Sequence, residues 1–156
     1  MVANMDTAPY PSGAQWTISN GDQQAVIVEV GGGLRAWRAG GVDWLDGYEA
    51  DEICVGAAGH VLAPWPNRIR DGRYEFGGRT HEVALTEPET HTALHGLVRW
   101  LPWRLVESSE SAVTCECTLY AQPGYPWSLR LRNTWSLTAD GLVGEHTVTN
   151  LSGEPA

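Results

Sequence analysis

Residues 127–137 read Trp127-Ser128-Leu129-Arg130-Leu131-Arg132-Asn133-Thr134-Trp135-Ser136-Leu137. Trp127, Leu129, Leu131, Trp135 and Leu137 fall on one side of an extended chain, with Asn133 the odd member. Ser128, Arg130, Arg132, Thr134 and Ser136 fall on the other. A period of two is the mark of a strand with one buried and one wet face. The stretch just before repeats the pattern. Val113, Cys115, Cys117 and Leu119 share one face, and Thr114, Glu116, Thr118 and Tyr120 the other. Two such strands separated by a Gly/Pro-containing loop predict an antiparallel pair.

Outward from this pair the same period recurs. Residues 24–30 place Val26, Val28 and Val30 on one face, and Gly31-Gly32-Gly33 ends that strand. Leu34–Arg38 and Val42–Leu45 flank Ala39-Gly40-Gly41 as a short hairpin. Arg73–Phe76 and Arg79–Val83 flank Gly77-Gly78, a two-residue hairpin signal. That register sets Phe76 opposite Arg79, Tyr74 opposite His81, and Arg73 opposite Glu82. Residues 142–149 form a last, weaker strand. No window carries a helical period of 3.6. The expected fold is all-β, an antiparallel sandwich or barrel.

The length of 156 residues predicts one domain, long enough to bury a core. Ten Lys+Arg, every one an Arg, face 19 Asp+Glu, for a formal net charge of −9. Such a chain is no phosphate-backbone binder, and neither nucleic acid nor an anionic membrane is an expected partner. No apolar run is long enough to span a bilayer as a helix. Residues 1–14 carry no basic and apolar leader pattern, and three Cys fit a reducing compartment, so the expected location is the cytoplasm. Residues 1–15 are expected to be flexible. Eight Trp against one Phe stand out. An indole serves a core, and it also stacks on the C–H face of a sugar; composition leaves both uses open.

Two loop segments could carry chemistry. In Ala63-Pro64-Trp65-Pro66-Asn67-Arg68-Ile69-Arg70-Asp71-Gly72 the prolines stiffen the chain and present Asn67 and Arg68 at its end. An amide with donors and an acceptor, beside a planar fork of donors, suits a ligand with several hydroxyls. The alternative is a solvated loop. In Thr86-Glu87-Pro88-Glu89-Thr90-His91-Thr92-Ala93-Leu94-His95-Gly96-Leu97, His91 and His95 are four apart, but Pro88, two Thr and Gly96 oppose the helix that would align them on a metal. His95 sits beside a glycine, where backbone can approach a ligand closely; otherwise it is a structural His bonded to a carbonyl. Glu87 and Glu89 could form an acid/base pair, though a solvated loop explains them better. Cys115 and Cys117, side by side on one strand face, are expected to be buried thiols with no disulfide. His60, His81 and His146 have no obvious partners. Phosphate-loop and nucleophile-elbow motifs are lacking.

The string Pro64–Gly78, with Asn67-Arg68-Ile69, Gly72, Tyr74, Phe76 and Gly78, together with Leu94-His95-Gly96-Leu97, resembles the aldose 1-epimerase (galactose mutarotase) family. The resemblance continues through Trp100–Arg104, residues 127–137 and Val148–Ser152, and covers the chain from about Gln24 onward. It implies a galactose-mutarotase-type antiparallel β-sandwich, of which 1–156 would be the N-terminal portion as a single domain. It implies that Asn67, Arg68 and His95 bind an aldohexose, a small-molecule partner, without metal or organic cofactor. The implied reaction interconverts α and β anomers by acid–base ring opening and closure. In the family the acid is a His shortly after the segment resembling Asn150–Pro155, and the base a Glu near the C-terminus. No residue of this sequence is matched to either role, so the 156-residue chain alone is expected to be inactive. It is also expected to self-associate through uncovered apolar faces; its oligomeric state is not otherwise legible. Two other readings are a non-catalytic carbohydrate-binding sandwich and a relative of hexose-phosphate epimerases, the second drawing on Arg68, Arg70, Arg73 and Arg79.

Overall fold

The computed structural model describes residues 10–156. Most of the segment expected to be flexible, residues 1–9, lies outside the described residues. The described residues form two four-stranded antiparallel sheets and two short strand pairs. The first sheet runs β1 (Gln15–Asn20), β2 (Gln23–Val28), β3 (Leu34–Ala39) and β4 (Val42–Asp43) in chain order. The second has the order β12-β11-β10-β9, with β9 Arg104–Ser108, β10 Ala112–Leu119, β11 Leu129–Thr138 and β12 Gly141–Asn150. Between them in sequence lie β5 (Arg68–Arg70) paired with β8 (Thr92–Leu94), and the hairpin β6 (Arg73–Phe76) with β7 (Arg79–Glu82). Among the described residues the only helical element is a single 3-10 turn, Pro88–Thr90. No helix there is long and apolar enough to cross a membrane.

The faces read from the sequence are the faces that pack. Val113, Cys115, Cys117 and Leu119 are buried, as are Trp127, Leu129, Leu131, Asn133 and Leu137. They meet Ile18, Ala25 and Ile27 of the first sheet and Trp103 in one core. Each such aliphatic side chain removed from water contributes about 1.5–3 kcal/mol, which makes this alternation the main source of order. Side chains also tie sheet to sheet: Asn20 Nδ2 donates to Leu137 O at 3.0 Å and Gln23 Nε2 to Thr138 O at 2.8 Å. The three cysteines are free and buried, and burial pushes the Cys115 and Cys117 thiols up to about 12.

The Gly77-Gly78 hairpin forms in the expected register, with Phe76 opposite Arg79, Tyr74 opposite His81 and Arg73 opposite Glu82. The Ala39-Gly40-Gly41 hairpin forms too, with a short second strand. Two strand readings are corrected. In β2 the core face is Ala25 and Ile27, while Val26 is half-buried; a register shift at Val26/Ile27 then turns Val28 inward as well, and Val30 lies beyond the strand. A strict alternation cannot anticipate such a bulge. The weak last strand is instead ten residues long and paired with β11 along its whole length. Its pattern is weak because Val143–Asn150 are all exposed, so burial imposes no strict alternation on them. The second face of β10 is also drier than expected. Thr114 is buried against Thr134, with their hydroxyls 3.0 Å apart, and Glu116 is ion-paired with Arg104 and Arg132.

Candidate functional site

Antiparallel pairing of β5 with β8 sets Arg68 opposite Leu94. The residue before β5 and the residue after β8 therefore become neighbours. These are Asn67 and His95. Both adopt left-handed backbone, with φ of 59° and 62°. The His95 N–H donates to Asn67 O at 2.9 Å, and the Asn67 N–H donates to His95 Nδ1 at 3.0 Å. The second bond assigns the tautomer. Nδ1 accepts, so the ring proton sits on Nε2 and the neutral imidazole offers one N–H donor. The ring is held below the ordinary imidazole range, by partial burial first and then by the positive charges of Arg99 and Arg68.

Gly96 locks this geometry. It has φ of 69°, and an added Cβ would lie 2.1 Å from Ala63 O. The Leu97 N–H donates to that same carbonyl at 2.8 Å, so residues 63 and 96–97 run in direct backbone contact. The Pro-rich segment is thereby strapped to β8, with Trp65 Nε1 donating to Ala93 O at 3.4 Å. The stiffness anticipated from Pro64 and Pro66 has a tertiary anchor.

Arg68 is not a freely solvated arginine. Its Nε donates to Glu87 Oε2 at 2.6 Å and its Nη2 to Glu87 Oε1 at 2.9 Å, a two-pronged ion pair. Its Nη1 approaches Asn67 Oδ1 at 3.5 Å. The side chain remains 49% exposed, so the remaining N–H groups are open to a ligand. Glu87 also accepts from Thr92 Oγ1 at 2.9 Å. These donors, Arg68 foremost, hold its carboxyl below the usual carboxylate range, whereas its partial burial acts the other way. The sequence offered Glu87 with Glu89 as an acid/base pair; Glu87 instead engages Arg68. The His91–His95 helix does not form. His91 takes left-handed backbone at the end of the 3-10 turn.

Two further features escaped the sequence. An open cavity of about 720 Å³ is lined by Trp65, Tyr74, Phe76, Tyr125 and Trp127 among others, but not by Asn67, Arg68 or His95. His146, without a partner in the sequence reading, bonds through Nδ1 to Asn133 Oδ1 at 2.9 Å. Asn133 is 1% exposed and also donates to Gly32 O, which explains the one polar residue on the apolar face of β11. His81 stacks on Tyr74 with ring centroids 5.1 Å apart, and His60 meets Trp100 edge-on. The Tyr74–His81 pair follows from the register of the Gly77-Gly78 hairpin, whereas no spacing rule marks the His60–Trp100 pair, which joins distant segments.

Residues 14–156 match the family model described as aldose 1-epimerase. An uncharacterized Escherichia coli K12 protein, YihR, is 34% identical over 133 residues, covering 85% of this chain and 43% of its own length. Another uncharacterized protein of that strain, YphB, is 24% identical over 140 residues, covering 89% of this chain and 47% of its own. The chain thus spans about half the length of these curated relatives. Among solved structures, a GalM/aldose epimerase homologue from C. elegans superposes with a TM-score of 0.76 at 19% identity, over 88% of this chain and 46% of that one. A galactose mutarotase-like protein from Clostridium acetobutylicum gives 0.76 at 21%, with the same coverage. The fold is therefore the galactose-mutarotase-type β-sandwich, and the chain belongs to the aldose 1-epimerase family.

Proposed function

We propose, from that membership, that Asn67, Arg68 and His95 hold an aldohexose during interconversion of its α and β anomers. Mutarotation needs a base to take the proton of the anomeric hydroxyl and an acid to protonate the ring oxygen. The ring opens, the C1–C2 bond rotates, and the hydroxyl recloses on the other face of the aldehyde. Negative charge develops on oxygen as this happens, and preorganised donors stabilise it. The observation that carries the reading is the fixed tautomer of His95. The Asn67 N–H occupies Nδ1, so Nε2–H is a permanent donor for a ring oxygen or hydroxyl. The free N–H groups of Arg68 supply further donors beside it.

His95 is assigned to holding rather than to proton transfer. A ring whose Nδ1 is already bonded and whose charged form is disfavoured serves best as a steady donor. None of residues 1–156 is assigned the acid or base role. We read these residues as the N-terminal portion of the family's sandwich, acting in carbohydrate metabolism. Three free thiols support a reducing, cytoplasmic setting. A neutral sugar is favoured over a sugar phosphate, because the carboxylate of Glu87 already neutralises the Arg68 guanidinium.

The test is an NMR titration of the chain with glucose and galactose, alongside polarimetric measurement of mutarotation. Wild type is expected to bind. Arg68→Ala and His95→Ala are each expected to weaken binding by about tenfold, the equivalent of one lost charged or well-oriented hydrogen bond. Unchanged affinity in both variants would remove these residues from the site.

A further inference from the structure

Glu87 stands out as the most firmly held charged group next to the sugar-binding residues. Its carboxylate takes both prongs of Arg68 and the Thr92 hydroxyl, and its side chain is only 19% exposed. Its backbone is fixed as well: the Glu87 N–H donates to Thr92 O at 3.0 Å and the Thr92 N–H to Glu87 O at 3.2 Å. The preceding residue is tied in, since Thr86 Oγ1 accepts from the Leu94 N–H at 2.7 Å. The carboxylate is thus a fixed point on the turn that leads into β8. Arg68, by contrast, is a long and flexible side chain anchored at its tip by little besides this carboxylate.

We propose that Glu87 is a positioning and specificity-determining residue: it aims the guanidinium of Arg68 and cancels its charge, so that the site selects neutral sugars against sugar phosphates. The proposal rests on the reading of Asn67, Arg68 and His95 as sugar-binding. A guanidinium paired on two nitrogens presents its other N–H groups in a defined plane, as directional recognition of hydroxyls requires. An unpaired guanidinium would offer its fork to a phosphate dianion instead. The other charges bearing on Arg68 and His95 are those of Glu89 and Arg99, one of each sign, so Glu87 decides the local balance.

The experiment uses the 156-residue chain, its Glu87→Gln variant and Thr92→Val, which removes the hydroxyl bonded to Glu87 with little change of shape. The first readout needs no sugar: the Arg68 Nε–H resonance, assigned by its loss in Arg68→Lys, and its exchange with water. A shifted, protected resonance in wild type that becomes exposed in Glu87→Gln is expected. An identical resonance and exchange rate in both would overturn the positioning claim, whatever the ligand. The second readout is the ratio of glucose to glucose 6-phosphate affinity. Glu87→Gln should lower it by about tenfold or more, through both a weaker neutral ligand and a stronger anionic one. An unchanged ratio with glucose still bound sinks the specificity claim. Should wild type bind neither sugar, the reading of the site fails, while the Arg68 resonance still decides whether Glu87 holds the guanidinium. Thr92→Val should move both readouts the same way by less, and covers the case in which Glu87→Gln does not fold.

Discussion

The sheet β9–β12 and the segment from Ala57 to Gly96 obey different rules. In the sheet, β10 and β11 pair without interruption over eight residue pairs and β11 and β12 over ten. In the segment lie all five non-glycine residues with positive φ among the described residues: Ala57, Asn67, Asp71, His91 and His95. Two of these are site residues. Left-handed backbone on an L residue costs about 1–2 kcal/mol, somewhat less for Asn and Asp. Such strain persists only where surrounding structure over-determines it. Here the segment's own cross-bonds over-determine it: Asn67 with His95, Asp71 with His91, and Leu97 with Ala63. The two histidine–asparagine contacts show the same contrast. His146 bonds an Asn side chain across adjacent strands, whereas His95 bonds an Asn backbone N–H that only a left-handed turn can aim at it.

The largest expected effect tests whether a tight backbone contact of the segment outweighs any sheet position. Gly96→Ala forces a Cβ onto the Ala63 carbonyl at a backbone angle that opposes it. It should cost about 4 kcal/mol, combining overpacking and backbone strain. Equilibrium urea unfolding would check this, and a loss below about 1 kcal/mol would show that the strap can slide. Leu131→Ala, within β11 and 2% exposed, should cost about 3 kcal/mol by cavity formation. A much larger cost than Gly96→Ala would reverse the ranking.

Glycine substitutions sharpen the contrast, because they should act with opposite sign in the two regions. Asp71→Gly, at φ of 56°, should leave stability unchanged or raise it by up to about 1 kcal/mol. Thr118→Gly, within β10, should lower it by about 1 kcal/mol. Melting temperatures moving in the same direction for both would break the comparison.

A subtler difference should appear with pH. His60 is buried beside Arg99, and burial first, then that charge, holds it below the ordinary imidazole range. The unfolded chain takes up this proton before the folded one. The contribution of His60 to stability is therefore full above about pH 6.5 and is lost as the pH falls through that value. Unfolding curves should show this loss in wild type and a flatter profile in His60→Gln; matching profiles would clear His60. Smallest of all, Arg73→Ala in the exposed β6–β7 hairpin should change stability by less than about 1 kcal/mol, since its pair with Glu82 at 3.9 Å is solvated.

Much of the fold is legible in the sequence, and for a local reason. Period-two runs at 113–119 and 127–137 report burial directly, and Gly77-Gly78 reports a turn within four residues of the strands it joins. What misled was equally local: the Val26/Ile27 bulge breaks the count, and the exposed β12 carries no count at all. For the site, the residue types and their loops were visible, and Asn67, Arg68 and His95 do come together. Their chemistry was not visible. Glu87 stands 19 residues from Arg68, and the Asn67–His95 bonds span 28.

The amino-acid sequence by itself therefore determined the all-β class, the buried faces of the long strands and the membership of the chain in its family. Each of these follows from neighbours within a few positions or from a shared string of residues. Only the tertiary structure decided which nitrogen of His95 carries the proton, which carboxylate holds Arg68 and why Asn133 sits in the core. Those outcomes depend on hydrogen bonds between segments far apart in the chain. A hydrogen bond is set by angles and distances of a few ångströms, which only packing brings about.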